Sequence, residues 1–185
     1  MDNQAGARQP YRIVTPPSAA TMACKRAFDI LCSFLGLAVL SPVLLVVSVL
    51  VAVTSPGGVF FRQERIGKDG KPFRIFKFRS MRKDNAGLKI TTGNDSRITP
   101  VGRFLRKSKI DELPQLINVL VGDMSFVGPR PEVADYVNLY TPYQRQVLLV
   151  RPGITGLASI RFRNENDLLT ASDDPNRTYV EQIMP

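Results

Sequence analysis

Histidine is absent from the 185 residues, and cysteine occurs only as Cys24 and Cys32. The first absence excludes Ser-His-Asp and Cys-His catalysis and any His-ligated metal site. Acid-base or nucleophilic work must then fall to carboxylates, Lys, Tyr or Ser. The two thiols lie beside or inside an apolar run without Cys-x-x-Cys spacing, which argues against zinc and fits a reduced compartment. No Walker loop and no Gly-x-Gly-x-x-Gly occurs, so neither a P-loop nor a dinucleotide fold is suggested. The chain has no internal repeat and no low-complexity segment.

Negative charge is scarce: 16 Asp and Glu face 25 Lys and Arg, a formal net charge of +9. Such a balance calls for an anionic partner, and nucleic acid, anionic lipid and a nucleotide diphosphate all qualify. The mean hydropathy of -0.05 suits a soluble protein. The apolar residues are concentrated, however, between Ala27 and Val53, and the remainder is polar and rich in Arg and Lys. This is the profile of a membrane-attached domain with one modest core. Residues 1–22 are polar and contain proline, and predict a disordered tail. The apolar run starts late and has no small-residue cleavage site, so it reads as retained rather than as a signal peptide.

A straight helix over this run is long enough to cross a bilayer core of roughly 30 Å. Hydropathy alone therefore makes a single crossing the default. Ser41-Pro42 near its middle argues otherwise, because proline deletes a backbone hydrogen bond and clashes with the preceding turn. Ser41 offers a hydroxyl to the carbonyls so exposed. Lys25 and Arg26 precede the run, and Arg62, Arg65, Lys68 and Lys71 follow it. Basic flanks prefer the cytoplasm, and a hairpin entering and leaving by one face satisfies both. We expect a re-entrant helix over residues 23–55, broken at Ser41-Pro42, with Asp29 at the interface near Lys25 and Arg26.

Residues 56–185 read as a small α+β domain, helix-rich with a short β-hairpin. Val59 to Met81 predicts two strands joined at Lys68-Asp69-Gly70-Lys71, since Asp-Gly tolerates positive φ. Residues 85–96 read as a loop. Thr99 to Lys107 predicts a helix with Pro100 in its first turn. A second helix is expected from Asp111, with Leu113, Leu116, Ile117 and Leu120 as its apolar stripe and Gly122 as its end. Residues 132–150 look helical, and residues 164–178 have few apolar anchors.

Asp111-Glu112 is the strongest site candidate. At a helix N-terminus a carboxylate meets unpaired N–H groups that lower its pKa and also attract phosphate. An ionised Asp there suits attack on phosphorus beside a divalent cation. The plainer reading, commoner for an isolated Asp-Glu, is an N-cap. Arg79, Arg97, Arg103, Arg106, Arg130 and Arg151 form the second candidate set, because guanidinium bonds phosphate in bidentate fashion. Arg130 and Arg151 sit beside prolines, which lowers the ordering cost of binding. A membrane-anchored binding protein, with Phe73, Phe76 and Phe78 stacking on bases, or a scaffold without catalysis, stands as the alternative.

Taken in order, several stretches carry a specific pattern: Lys25 to Asp29, Ser41-Pro42, Arg65-Ile66-Gly67, Lys77 to Met81 and Gly102 to Arg106. Next come Ile110 to Leu116 followed by Asn118-Val119-Leu120, then Gly128 to Glu132 and Arg151 to Gly156. The chain resembles the bacterial sugar transferases, the monotopic phosphoglycosyl transferases, over roughly residues 22–185. The resemblance implies a UDP-sugar donor, a polyprenol phosphate acceptor and a covalent aspartyl intermediate on Asp111, with UMP released. Glu112 would act as base or position the acceptor, and Mg²⁺ would sit at Asp111. Lys77, Arg106 and Arg130 would contact phosphates or nucleotide, and Arg79 and Arg151 join them as candidate substrate ligands. The partners implied are membrane lipid and downstream glycosyltransferases, with no nucleic acid. The place implied is the bacterial inner membrane with the site facing the cytoplasm. Relatives continue with a Lys-Leu-x-Leu-Asp-x-x-Tyr segment, so a sequence ending at Pro185 is expected to be truncated.

Overall fold

The computed structural model describes residues 15, 17–55, 57–82, 95–162 and 165–183. The loop expected at 85–96 falls mostly outside these residues, as does the tail up to Val14. Helix α1 spans Ala19–Thr54, beginning inside the segment expected to be a tail. Ser18 caps it, its hydroxyl accepting from the Thr21 N–H at 3.2 Å.

The break expected at Ser41-Pro42 is not an interruption of α1, which runs on through Pro42. The reason is local. In an α-helix the N–H of residue 42 would bond to the carbonyl of residue 38, and proline lacks that N–H. The Ser41 hydroxyl donates to the Ala38 carbonyl at 2.8 Å. The ladder loses one backbone bond but leaves no carbonyl unsatisfied.

Strands β1 (Phe60–Ile66) and β2 (Pro72–Phe78) form the expected antiparallel hairpin. Asp69 and Gly70 in the turn have φ of 57° and 72°, the positive values that Asp-Gly tolerates. Helix α2 (Pro100–Ser108) has Thr99 as its cap, the hydroxyl accepting from Gly102 N–H at 2.9 Å. A Cβ at Gly102 would lie 1.9 Å from the Ser80 carbonyl oxygen, so only glycine allows α2 to approach the end of the hairpin this closely. Lys109, at φ 60°, turns the chain into a single 3₁₀ turn, Ile110–Glu112, and α3 follows at Gln115–Val121. Gly122, at φ 103°, ends α3 as expected.

Two short elements were not anticipated: β3 (Ser125–Val127) and β4 (Gly153–Thr155) pair in parallel. The helix expected over 132–150 is corrected. Only α4 (Ala134–Val137) is α-helical there, and a 3₁₀ segment covers Gln144–Leu149. Pro142 stands between them, and the residue before a proline is biased away from helix. Three short helices close the described chain: α5 (Leu157–Arg161), α6 (Glu165–Thr170) and α7 (Pro175–Thr178), followed by a π-helical turn at Tyr179–Ile183. This bears out the helix-rich α+β class, and among the described residues a second small sheet joins the expected hairpin.

Among the described residues the core has three parts. Val47 and Val51 of α1 pack with Phe78 and Leu105. Ile75 packs with Val119 and Met124. Tyr136 packs with Leu169 and Tyr179, the apolar anchors that the polar C-terminal stretch had hidden. Asn118 fastens α3 to the hairpin edge, accepting from Phe76 N–H at 2.8 Å and donating to the Arg74 carbonyl at 2.9 Å. Both edge groups are thereby satisfied by one buried amide.

Helix α1 meets the domain near both of its ends. Arg26 donates to the Val119 and Leu120 carbonyls at 2.5 and 2.8 Å, at the C-terminal end of α3. Asp29 is buried and accepts from the Ser125 hydroxyl and Phe126 N–H at 3.0 and 3.1 Å. Lys25 lies 3.7 Å from Asp29, the proximity expected from their spacing. Val47 and Val51 provide the other contact. The opposite face of α1 leaves Phe34, Val39, Leu45, Val46 and Val53 exposed.

Candidate active site

The hairpin register decides which cations meet the Asp-Glu pair. Residues directly opposite in antiparallel strands share a face, so Lys77 opposite Phe61 and Arg65 opposite Phe73 project to the same side. On that face Lys77 Nζ lies 2.8 Å from Glu112 Oε1. Both side chains are about three-quarters buried, so the pair is only partly screened by solvent.

Asp111 stands beside it at 6% exposure. The capping reading fails: α3 starts at Gln115, its cap is Pro114, and no side chain caps it. Instead Asp111 Oδ1 is buried and accepts no hydrogen bond from any described residue. The expectation that a helix end lowers its pKa is also corrected. Burial pushes the carboxyl up to about 6, against the opposing fields of Lys77, Arg106 and Lys109 and with the Glu112 charge adding to the rise. Glu112 moves the other way. Burial raises it, but Lys77, first by charge and then by its hydrogen bond, holds the net value below the usual carboxylate range. Both carboxyls feel the Lys77 charge, but only Glu112 also accepts its hydrogen bond, and the two shift in opposite directions.

Arg106 and Arg130 join this electrostatic group. Arg106 acts on Asp111 and places Nη1 3.7 Å from Met81 Sδ, and Arg130 acts on Glu112. Arg79 and Arg151 are placed elsewhere. Arg79 donates to the Gly58 and Phe60 carbonyls at 2.8 and 3.2 Å, pinning the turn before β1. Arg151 Nε donates to the Gly122 carbonyl at 2.7 Å, at the end of α3. Arg97 is held by Asp95, with Nη2 at 2.6 Å from Oδ2.

Sequence reasoning named Arg130 but missed Glu132, Arg65 and Tyr179 as its neighbours. Arg65 Nη1 lies 3.5 Å from Glu132 Oε2, and Arg130 Nε lies 3.9 Å from Oε1. The Tyr179 hydroxyl donates to Oε1 at 2.5 Å. A small recess lined by Ile66, Pro129, Arg130, Glu132, Tyr140 and Pro152 lies alongside. Burial, then the Glu132 charge, pushes the Tyr140 phenol up to about 12. The only sequence signal was that Glu132 ends the Gly-Pro-Arg-Pro-Glu loop.

The described residues contain no group of three or more metal-ligating Asp, Glu, His or Cys side chains. Two adjacent carboxyls, one with a buried unpartnered oxygen, suit Mg²⁺, which takes one or two protein carboxylates and completes its shell with water and substrate phosphate. The phenylalanines once considered for base stacking are engaged by the fold. Phe78 is core, and Phe76 lies under the Arg62 guanidinium, 4.1 Å from its ring centroid.

Residues 20–184 match the family described as bacterial sugar transferase. The chain belongs to that family. It is 47% identical over 161 residues to a UDP-glucose:undecaprenyl-phosphate glucose-1-phosphate transferase of Escherichia coli K12, covering 84% of this chain and 35% of that protein. It is 43% identical over 149 residues to a UDP-N-acetylgalactosamine-undecaprenyl-phosphate N-acetylgalactosaminephosphotransferase of Aeromonas hydrophila, 78% of this chain and 35% of that protein. An exopolysaccharide production protein of Rhizobium leguminosarum is 47% identical over 147 residues, 74% of this chain and 73% of that protein. The chain thus spans about a third of the length of the first two relatives.

Proposed function

We propose that this chain transfers a sugar-1-phosphate from a UDP-sugar to undecaprenyl phosphate at the cytoplasmic face of the bacterial inner membrane, opening glycoconjugate synthesis. The observation that carries this reading is the buried Asp111 carboxyl, with Oδ1 unpartnered and Lys77, Arg106 and Glu112 around it.

An ionised Asp111 attacks the sugar-bearing phosphorus of the donor. A P–O bond forms to the carboxylate as the P–O bond to UMP breaks, and UMP leaves with the electron pair. A phosphate oxygen of the acceptor then attacks the same phosphorus. The aspartyl bond breaks and the carboxylate returns. Glu112, kept ionised by Lys77, is the base or positioning group of this second step. Lys77, Arg106 and Arg130 stabilise the charge that collects on phosphate oxygens. Asp111 is the residue that would hold Mg²⁺, whose contribution when bound is to neutralise diphosphate charge.

We read α1 as re-entrant, bent at Pro42 without a break in its helical course, and two observations favour this over a crossing helix. Asp29 and Val47, roughly 27 Å apart along a straight helix, both pack on the one domain. A crossing helix with the domain on one side would leave the far contact unmade. The apolar face directed away from the domain is the surface a lipid phase would cover.

The test is UMP release by the full chain in detergent or nanodiscs, with Mg²⁺, UDP-sugar and polyprenol phosphate. Wild type should release UMP, and Asp111→Asn should not. Undiminished release by Asp111→Asn removes the covalent mechanism.

A further inference from the structure

We propose that Asn118, oriented by Asp123, is a positioning residue that holds strand β2 where Lys77 reaches Glu112. The inference rests on the transferase reading and adds to it the part that sets the distance between the lysine and the carboxylate.

Lys77 does not set that distance alone. Its Nζ lies 2.8 Å from Glu112 Oε1, but about a quarter of each side chain is open to solvent. A partly exposed ion pair is weak, and a lysine stem has many rotamers to lose. The strand that carries Lys77 must be held by other contacts. Strand β2 pairs with β1 along one edge. Along the other edge the Phe76 N–H donates to Asn118 Oδ1 at 2.8 Å, and the Arg74 carbonyl accepts from Asn118 Nδ2 at 2.9 Å. Lys77 is the next residue after Phe76. Ile75, two residues from Lys77 and so on the same face of the strand, packs on Val119 and Met124.

Asn118 is fully buried, and its amide has one orientation. Both Nδ2 hydrogens are used, the second by Asp123 Oδ2 at 3.2 Å. A flipped amide would set its NH₂ against the Phe76 N–H and its oxygen against the Arg74 carbonyl and the Asp123 carboxylate. The Asn118 carbonyl accepts from the Gly122 and Met124 N–H groups, each at 3.1 Å, which folds Asp123 back towards the amide. Backbone hydrogen bonds also tie α3 to the turn that carries the carboxylates. Ile117 donates to Pro114 at 3.0 Å, and Leu116 to Leu113 and Leu113 to Ile110, each at 3.1 Å. Glu112 and the Asn118 amide therefore belong to one rigid piece, and the strand is bonded to that piece one residue short of Lys77. Loss of the amide frees the edge of β2 and lets Lys77 move off Glu112.

The experiment uses the full chain in nanodiscs, as wild type, Asn118→Ala, Asp123→Ala and Asp123→Asn. It reads the kcat of UMP release, and by mass spectrometry the rate at which a lysine-acylating reagent modifies Lys77 relative to the exposed Lys107. We expect Asn118→Ala to lower kcat about ten-fold and Asp123→Ala about three-fold, with Lys77 acylated about three times faster in both. Asp123→Asn keeps an acceptor oxygen for Nδ2 and should restore both readouts. An amide that only stabilises the fold would lower the unfolding midpoint and leave both readouts of the folded protein unmoved. Wild-type turnover in the folded variants, or lower turnover with Lys77 acylation unchanged, overturns the proposal. Should Asn118→Ala fail to fold, the milder Asp123→Ala decides by the same two readouts. Failure of the transferase reading shows separately, as UMP release that survives Asp111→Asn, and leaves the acylation readout intact.

Discussion

Replacing Asp111 by Asn should make the folded protein more stable while abolishing turnover. The carboxyl rises from 3.8 to about 6 because burial penalises its charged form. A raised carboxyl pKa means that the folded state holds the proton more tightly than the unfolded chain does. Stability therefore falls as pH climbs from about 4 through about 6, and the full penalty applies at pH 8. At about 1.4 kcal/mol per pKa unit, the penalty is at most about 3 kcal/mol. Asn has nearly the same shape and no charge, but its amide needs acceptors, which leaves a net gain of about 1–2 kcal/mol. For a chain of this size that is roughly 2–8 °C in the unfolding midpoint. The assay is thermal unfolding of both proteins in one detergent, with chelator present, at steps from pH 4.5 to pH 8. The midpoint difference should be largest at pH 8 and shrink toward pH 4.5. A variant less stable than wild type at pH 8, or a difference independent of pH, would refute the claim that Asp111 is held charged at an energetic cost.

Two further outcomes follow from named contacts. Lys77→Met should move the acid limb of UMP release to higher pH, because Lys77 is the leading influence lowering the Asp111 pKa; an unmoved limb in a pH-rate profile counts against it. Ser41→Ala should lower the midpoint by the equivalent of about 1 kcal/mol in the presence of Pro42 and by almost nothing alongside Pro42→Ala, which restores the N–H that Ala38 otherwise lacks. Equal losses in both backgrounds, in a double-mutant cycle, would show that the Ser41 hydroxyl does not substitute for that bond.

What was legible in the sequence was set by neighbours along the chain. The Asp69-Gly70 turn, the Thr99-Pro100 helix start and the Gly122 stop each depend on φ preferences or caps within four residues, and each is where it was expected. The Asp-Glu pair stood out for the same local reason. Its chemistry did not. The direction of the Asp111 shift depends on burial and on Lys77, which lies 34 positions earlier and arrives through the hairpin register. Arg79 and Arg151 share their residue type with Arg106 and Arg130, and Arg151 its following proline with Arg130. Only the tertiary placement of carbonyls at Gly58, Phe60 and Gly122 separates structural guanidiniums from those near the carboxylates. Proline at 42 was read correctly as a lost hydrogen bond and incorrectly as a break, because the compensation came from the preceding side chain.

The raised pKa of Asp111 and the lysine on Glu112 belong to one arrangement. Had Lys77 paired with Asp111, that carboxylate would be stabilised as an anion and less nucleophilic toward phosphorus. With Lys77 on Glu112, the partner is ionised and fixed, and the Asp111 oxygen is left without a hydrogen bond to break before attack. A buried carboxylate with an open valence has most to gain from an incoming cation or phosphorus centre, and least from the ground state. Under the proposed mechanism, the geometry that destabilises the charged carboxyl would also ready it to bond phosphorus.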